Sequence, residues 1–120
     1  MKSLLVIAHG SRRQASNDEV RQLVDRIAGK AGDNFDHIGA AFLELAEPSI
    51  PDGIRTCVEK GSNEIIVLPY FLSAGRHVVE DIPGEVDSVR GEFPDVCINV
   101  IPYLGSLDAI ADIMLEQAIS

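Results

Sequence analysis

Four apolar runs, each followed by a segment of helical periodicity, decide what this chain can become. SLLVIA (residues 3–8), HIGAAFLEL (37–45), EIIVLPYFL (64–72) and VCINVIPYL (96–104) read as strands. The first is apolar without alternation, as expected of a strand buried on both faces. Behind it, Val20, Leu23, Val24 and Ile27 recur at helical spacing. After the second run, Pro48 stands where proline favours a first helical turn. Ile50, Ile54, Cys57 and Val58 then share one side, and Gly61 is placed to end that helix. A third helix is expected to start near Asp81 to Pro83 and to carry Val86, Val89 and Arg90 onward. Leu107, Ile110, Ala111, Met114 and Ala118 form the stripe of a closing helix that Ser106 or Asp108 could cap.

This alternation implies an α/β fold, a four-stranded parallel sheet flanked by helices on both faces and joined by right-handed crossovers. No linker, repeat or low-complexity tract divides the 120 residues, so a single domain over residues 1–120 is expected. With 46% hydrophobic residues, a chain of this length buries about two-thirds of its unfolded surface and needs no disulfide. Cys57 and Cys97 form no CxxC pair and read as reduced core residues, which suits a cytoplasmic setting. The short apolar run before His9 is not a signal peptide, and no other run approaches a membrane span. A net charge of −9 argues against a nucleic-acid surface, which needs a basic face.

Parallel sheets of this kind bind ligands beyond the carboxyl ends of their strands. His9, with GSRR behind it, leaves the first strand at that edge. Glu44 ends the second, and Gly75, Arg76 and His77 follow the third in the loop SAGRHVV. Three metal ligands or proton carriers therefore share one rim. Each also has a plainer reading: a structural hydrogen bond for His9, capping or exposure for His77, and for Glu44 a strand position aimed at water. His37 opens the second strand at the opposite edge and reads as structural. Two imidazoles and a carboxylate suit a borderline divalent ion such as iron, cobalt, nickel or zinc. The set is too small for a closed structural site and leaves coordination positions open. The forked donors of Arg12, Arg13 and Arg76 match carboxylates or phosphates, unless these residues serve only solubility. Together they describe an anion that meets a metal.

Three blocks, HGSR at 9–12, FLELAEPSI at 42–50 and LPYFLSAGRHVVEDIP at 68–83, resemble in order and spacing the motifs of the small sirohydrochlorin-type chelatases, often called CbiX-like. The resemblance implies insertion of a divalent metal, cobalt first and iron or nickel next, into sirohydrochlorin. This is a carboxylate-rimmed macrocycle of the siroheme, cobalamin and coenzyme F430 routes. It places His9, Glu44 and His77 at the metal-handling and catalytic positions. Ser11, Arg12, Arg13, Gly75 and Arg76, on the same rim, are expected to bind the substrate. It also implies a homodimer whose two copies form the cleft that larger relatives build from two domains. The metal is then a substrate, and no cofactor is permanently bound. The histidine-rich stretch of some relatives is missing, so metal buffering is not expected. A non-catalytic tetrapyrrole or metal carrier on the same fold is the alternative. A histidine phosphatase would need an arginine where Ala8 stands, and a receiver domain would need an aspartate ending the third strand.

Overall fold

The computed structural model describes residues 1–120, the side chain of His77 excepted. Its strands are β1 (Lys2–Ala8), β2 (His37–Phe42), β3 (Glu64–Pro69) and β4 (Cys97–Val100). All pair in parallel, in the order β2-β1-β3-β4. The helices are α1 (Gln14–Ala31), α2 (Ile50–Glu59), α3 (Ile82–Arg90) and α4 (Asp108–Ile119). The expected α/β fold, with a four-stranded parallel sheet, is therefore the observed one.

β1 lies between β2 and β3, which is why its sequence is apolar at successive positions rather than alternate ones. Leu5 and Ile7 point to one face, where they pack with Ala41, Ile54, Val67 and Val86 beneath α2 and α3. Leu4 and Val6 point to the other, where Val24 of α1 and the half-buried Ile66 and Leu68 meet them. A register slip of one residue would exchange these two sets, so burial fixes the pairing Ala8 to Phe42 at the strand ends.

Several expectations are corrected in detail. The strands stop at Phe42, Pro69 and Val100, earlier than the apolar runs do. Pro69 lacks the N–H that would extend a ladder. α2 is capped by Ser49, whose Oγ accepts the Asp52 N–H at 3.2 Å, and the proline of its first turn is Pro51. Pro48 instead follows a cis peptide bond ahead of the cap. Gly61 does follow the helix, with φ of 100° and its N–H donated to the Val58 carbonyl. α3 ends at Arg90, whose guanidinium reaches the Ile98 carbonyl at 2.7 Å. Cys57 is buried, which pushes its thiol pKa up, whereas Cys97 is exposed on β4 and belongs to no core. Neither proposed cap serves α4, since Ser106 donates to the Tyr103 carbonyl and Asp108 lies inside the helix. The α4 stripe buries nothing. No helix is long and apolar enough to cross a membrane among the described residues.

His37, at the amino edge of the sheet, is half-buried beside Lys60. Burial first, and then that positive charge, pull its pKa below the usual 6.5. The unfolded chain therefore binds a proton that the folded chain resists. The contribution is fully present above about pH 6.5 and is lost as the pH falls through the lowered folded value. Urea titrations of wild type and His37→Gln between pH 7.5 and pH 5 should show a shallower loss in the variant. Identical slopes would remove His37 from the acid response.

Candidate functional site

The parallel pairing of β1 and β2 continues past both strand ends. Leu43 N–H donates to the Ala8 carbonyl at 2.9 Å, and Glu44 N–H donates to the His9 carbonyl at 3.0 Å. These two rungs place the His9 and Glu44 side chains together, with Nε2 2.9 Å from Oε1. Both are roughly half-exposed, at 43% and 52%. In the tautomer with the proton on Nε2, Nε2–H donates to Oε1. The Phe71 ring, just beyond β3, lies 6.4 Å from the imidazole.

Gly10 makes this approach possible. Its φ is 93°, and a Cβ there would sit 1.7 Å from the Glu44 carbonyl oxygen, so any side chain forces the two loops apart. The following turn is held from α1 by Asn17, whose side chain is almost wholly buried. Asn17 Oδ1 accepts the Ser11 N–H at 2.9 Å and Nδ2 donates to the Ser11 carbonyl at 2.8 Å. Ser11 Oγ in turn accepts the Arg13 N–H. The Glu44 loop is braced in a similar way. Arg21 donates to the Glu47 carbonyl, pairs with Asp18 and lies over the Phe42 ring at 5.0 Å. Leu45 adopts φ of 64° in this loop, a left-handed conformation uncommon for a residue with a branched side chain.

The other expected residues stand apart from this pair. Arg12 and Arg13 are exposed, and their guanidinium groups make no ion pair among the described residues. Arg76 is 82% exposed, 3.8 Å from Glu80. Gly75 is exposed, its φ is not in the left-handed region, and its carbonyl accepts the Val78 and Val79 N–H groups at the start of the next turn. The backbone of His77 opens a wide turn, His77–Asp81, that leads into α3. Its side chain lies outside the described residues, so the three-ligand set is represented by His9 and Glu44. Among the described residues, no three or more His, Cys, Asp or Glu side chains are grouped to hold a metal.

Two hollows flank the pair. One of about 230 Å³, between the ends of β1 and β3, is lined by His9, Gly10, Ser11, Asn17, Tyr70 and Phe71. The other, about 320 Å³, lies towards α3 and is lined by the carboxylates of Glu44, Glu80, Asp81 and Glu85 with Leu43 and Gly84. The imidazole therefore faces a largely apolar recess, and the carboxylate borders one that attracts cations. Asn17 and Arg21 were missed by the sequence reading. A signal for Asn17 was there, because it sits on the line of Val20 and Val24, a polar residue on the apolar side of α1.

His9 and Glu44 thus meet beyond the carboxyl ends of the parallel strands, the edge at which such sheets bind ligands. The comparison with known proteins is more specific: the chain belongs to the CbiX family, whose model matches residues 3–120. It is 33% identical to the chloroplastic sirohydrochlorin ferrochelatase of Arabidopsis thaliana, over 95% of this chain and 50% of that protein. It is 30% identical to the sirohydrochlorin cobaltochelatase of Methanosarcina acetivorans, over 95% of this chain and 92% of that one. The sirohydrochlorin chelatase SirB from Bacillus subtilis subspecies spizizenii, solved in complex with cobalt, superposes with a TM-score of 0.77 at 28% identity. That match covers 82% of this chain and 42% of SirB. The chain thus spans about half the length of the Arabidopsis relative and less of SirB.

Removing the clamp under the histidine loop tests its structural weight. Asn17→Ala removes both bonds to the half-buried Ser11 backbone, so it should lower stability by about 1 kcal/mol in denaturant unfolding. An unchanged midpoint would show that Asn17 does not hold the loop.

Proposed function

We propose that this chain is a sirohydrochlorin metal chelatase that inserts a divalent ion, with cobalt favoured and iron or nickel as further substrates, in cobalamin- or siroheme-type biosynthesis. The observation that carries this reading is the contact between His9 and Glu44 at the mouth of an acidic hollow. It is supported by family membership and by the cobalt named for SirB. The preference for cobalt rests on the relative of nearly equal length, a cobaltochelatase.

Metal insertion releases two pyrrole protons for each ion bound. In the proposed mechanism the imidazole of His9 takes one of these protons, Glu44, held at Nε2, stabilises the imidazolium that forms, and the second proton passes to solvent water. Glu44 also borders the acidic hollow from which the cation arrives. His77 is assigned as the third metal-handling residue, on the sequence motif. The macrocycle's carboxylates are assigned to Arg12, Arg13 and Arg76, with Ser11 and Gly75 at the same rim. Carboxylates are repelled from the hollow of Glu80, Asp81 and Glu85, which keeps the anion and the cation on opposite sides of the pair. A recess of about 230 Å³ admits only the edge of a tetrapyrrole. A second copy of the chain, in a homodimer, is the proposed source of the opposing wall.

An anaerobic absorbance assay with sub-stoichiometric protein, sirohydrochlorin and cobalt(II), iron(II) or nickel(II) tests the reading. Many equivalents of metallated product per protein are expected, with His77→Ala well below wild type. Binding without turnover would replace the chelatase with a carrier. In the same assay Arg76→Ala should raise KM with little change in kcat, and an unchanged KM would reject Arg76 as a substrate contact.

A further inference from the structure

Among the described residues, positive backbone φ is found at Gly10, Gly32, Gly61 and one residue that carries a side chain, Leu45. Glycine adopts this conformation freely, and leucine does not. The surrounding bonds hold it there. Phe42 N–H donates to the Pro48 carbonyl at 2.8 Å, Glu44 N–H donates to the His9 carbonyl at 3.0 Å, and Arg21 holds the Glu47 carbonyl, which together close the segment 43–47 into a tight loop. A strained residue fixed in this way, one position from the Glu44 carboxylate, points to a side chain that is used.

Folding does not use it. Phe42 is wholly buried and Leu43 packs against the core beneath α2 and α3, whereas Leu45 is 54% exposed and joins neither apolar cluster. Leu72 and Val79, at 66% and 65% exposed, also stand outside both clusters. Apart from Met1 and the residues of α4 and its entry, these three are the exposed large hydrophobics among the described residues. All lie beyond the carboxyl edge of the sheet, Leu45 after β2, and Leu72 and Val79 after β3. The strand order puts β1 between them, so the loop that carries His9 has an exposed apolar residue on the loop to either side, with about 10 Å between the ends of β2 and β3.

The neighbouring charges indicate what such a rim fits. Arg12 and Arg13 follow β1, and Arg76 lies in sequence between Leu72 and Val79; all three are exposed. Guanidinium groups interspersed with apolar side chains match a ligand that has both a hydrocarbon surface and a carboxylate edge. An apolar protein surface would use Leu45 without the cations. A small anion would use the cations without Leu45.

We propose that Leu45 is a substrate-contact residue, whose side chain lies against the hydrocarbon surface of the macrocycle while the arginines take its carboxylates and Glu44 stays on His9. This deepens the chelatase reading and rests on it. It also gives the strain a purpose, because glycine at position 45 would relax the loop and remove the contact in one step.

Those two effects separate in experiment. Leu45→Gly should leave the urea midpoint unchanged or raise it, since glycine accepts the native φ. In the anaerobic insertion assay it should raise KM for sirohydrochlorin roughly tenfold, the order expected for losing much of one leucine contact. KM for cobalt(II) and kcat should stay close to wild type. Leu45→Asn, which tolerates the left-handed conformation, should behave like Leu45→Gly, and Leu45→Met should keep KM close to wild type. A lowered midpoint in Leu45→Gly would make Leu45 a folding residue and overturn the proposal. An active Leu45→Gly with unchanged KM would overturn it too and leave the chelatase standing. So would a raised KM accompanied by a fall in sedimentation coefficient, which would place the side chain between copies of the chain. If wild type binds sirohydrochlorin without turnover, the chelatase reading falls and an absorbance titration decides the contact: weaker binding by Leu45→Gly supports it, and equal affinity overturns it. Wild type that does not bind sirohydrochlorin would overturn both.

Discussion

Two backbone hydrogen bonds beyond the end of the sheet hold the site together. Ala8 and His9 each offer a carbonyl to the chain leaving β2, and those contacts bring an imidazole from one loop to a carboxylate from another. Everything around them preserves that approach. Burial of Leu5, Ile7 and Ala41 on one face and of Leu4 and Val6 on the other sets the register. Gly10 removes the Cβ that would collide with Glu44, Asn17 fixes the loop after His9, and Arg21 braces the loop after Glu44. A slip of one position in β2 would send Glu44 to the other side of the sheet.

The charges around the pair are divided by the sheet's geometry. Carboxylates collect towards α3, where Glu80, Asp81 and Glu85 join Glu44, and arginines are carried on the loops after β1 and β3. A chain with net charge −9 attracts cations over much of its surface. In the proposed function the arginines meet a polyanionic macrocycle, and their exposure leaves them available to a ligand larger than either hollow. The pair itself sits at the boundary, where the proposed mechanism has proton release and metal entry meet.

The fold was legible because strand and helix differ in period, and four unbroken alternations admit few other arrangements. Which residues would meet was less legible. His9, Glu44 and the arginines could be assigned to one edge, but the contact depends on rungs that lie outside the strands, and on a glycine whose role is set by a neighbour more than thirty residues away. Pro48 was read as a helix start because position relative to an apolar run does not distinguish it from Pro51, which follows a serine cap. Cys97 and the α4 stripe read as core by periodicity alone. Periodicity reports that a face wants covering, and not which surface covers it.

The account depends on His9 and Glu44 acting as one unit, and a double-mutant cycle measures this most directly. kcat/KM for cobalt insertion would be compared for wild type, His9→Ala, Glu44→Gln and the double variant. If the carboxylate acts by supporting the imidazole, the double variant loses little more than His9→Ala alone, and the losses are strongly non-additive. Losses that simply add would contradict the account, because the two groups would then work independently despite the 2.9 Å between them.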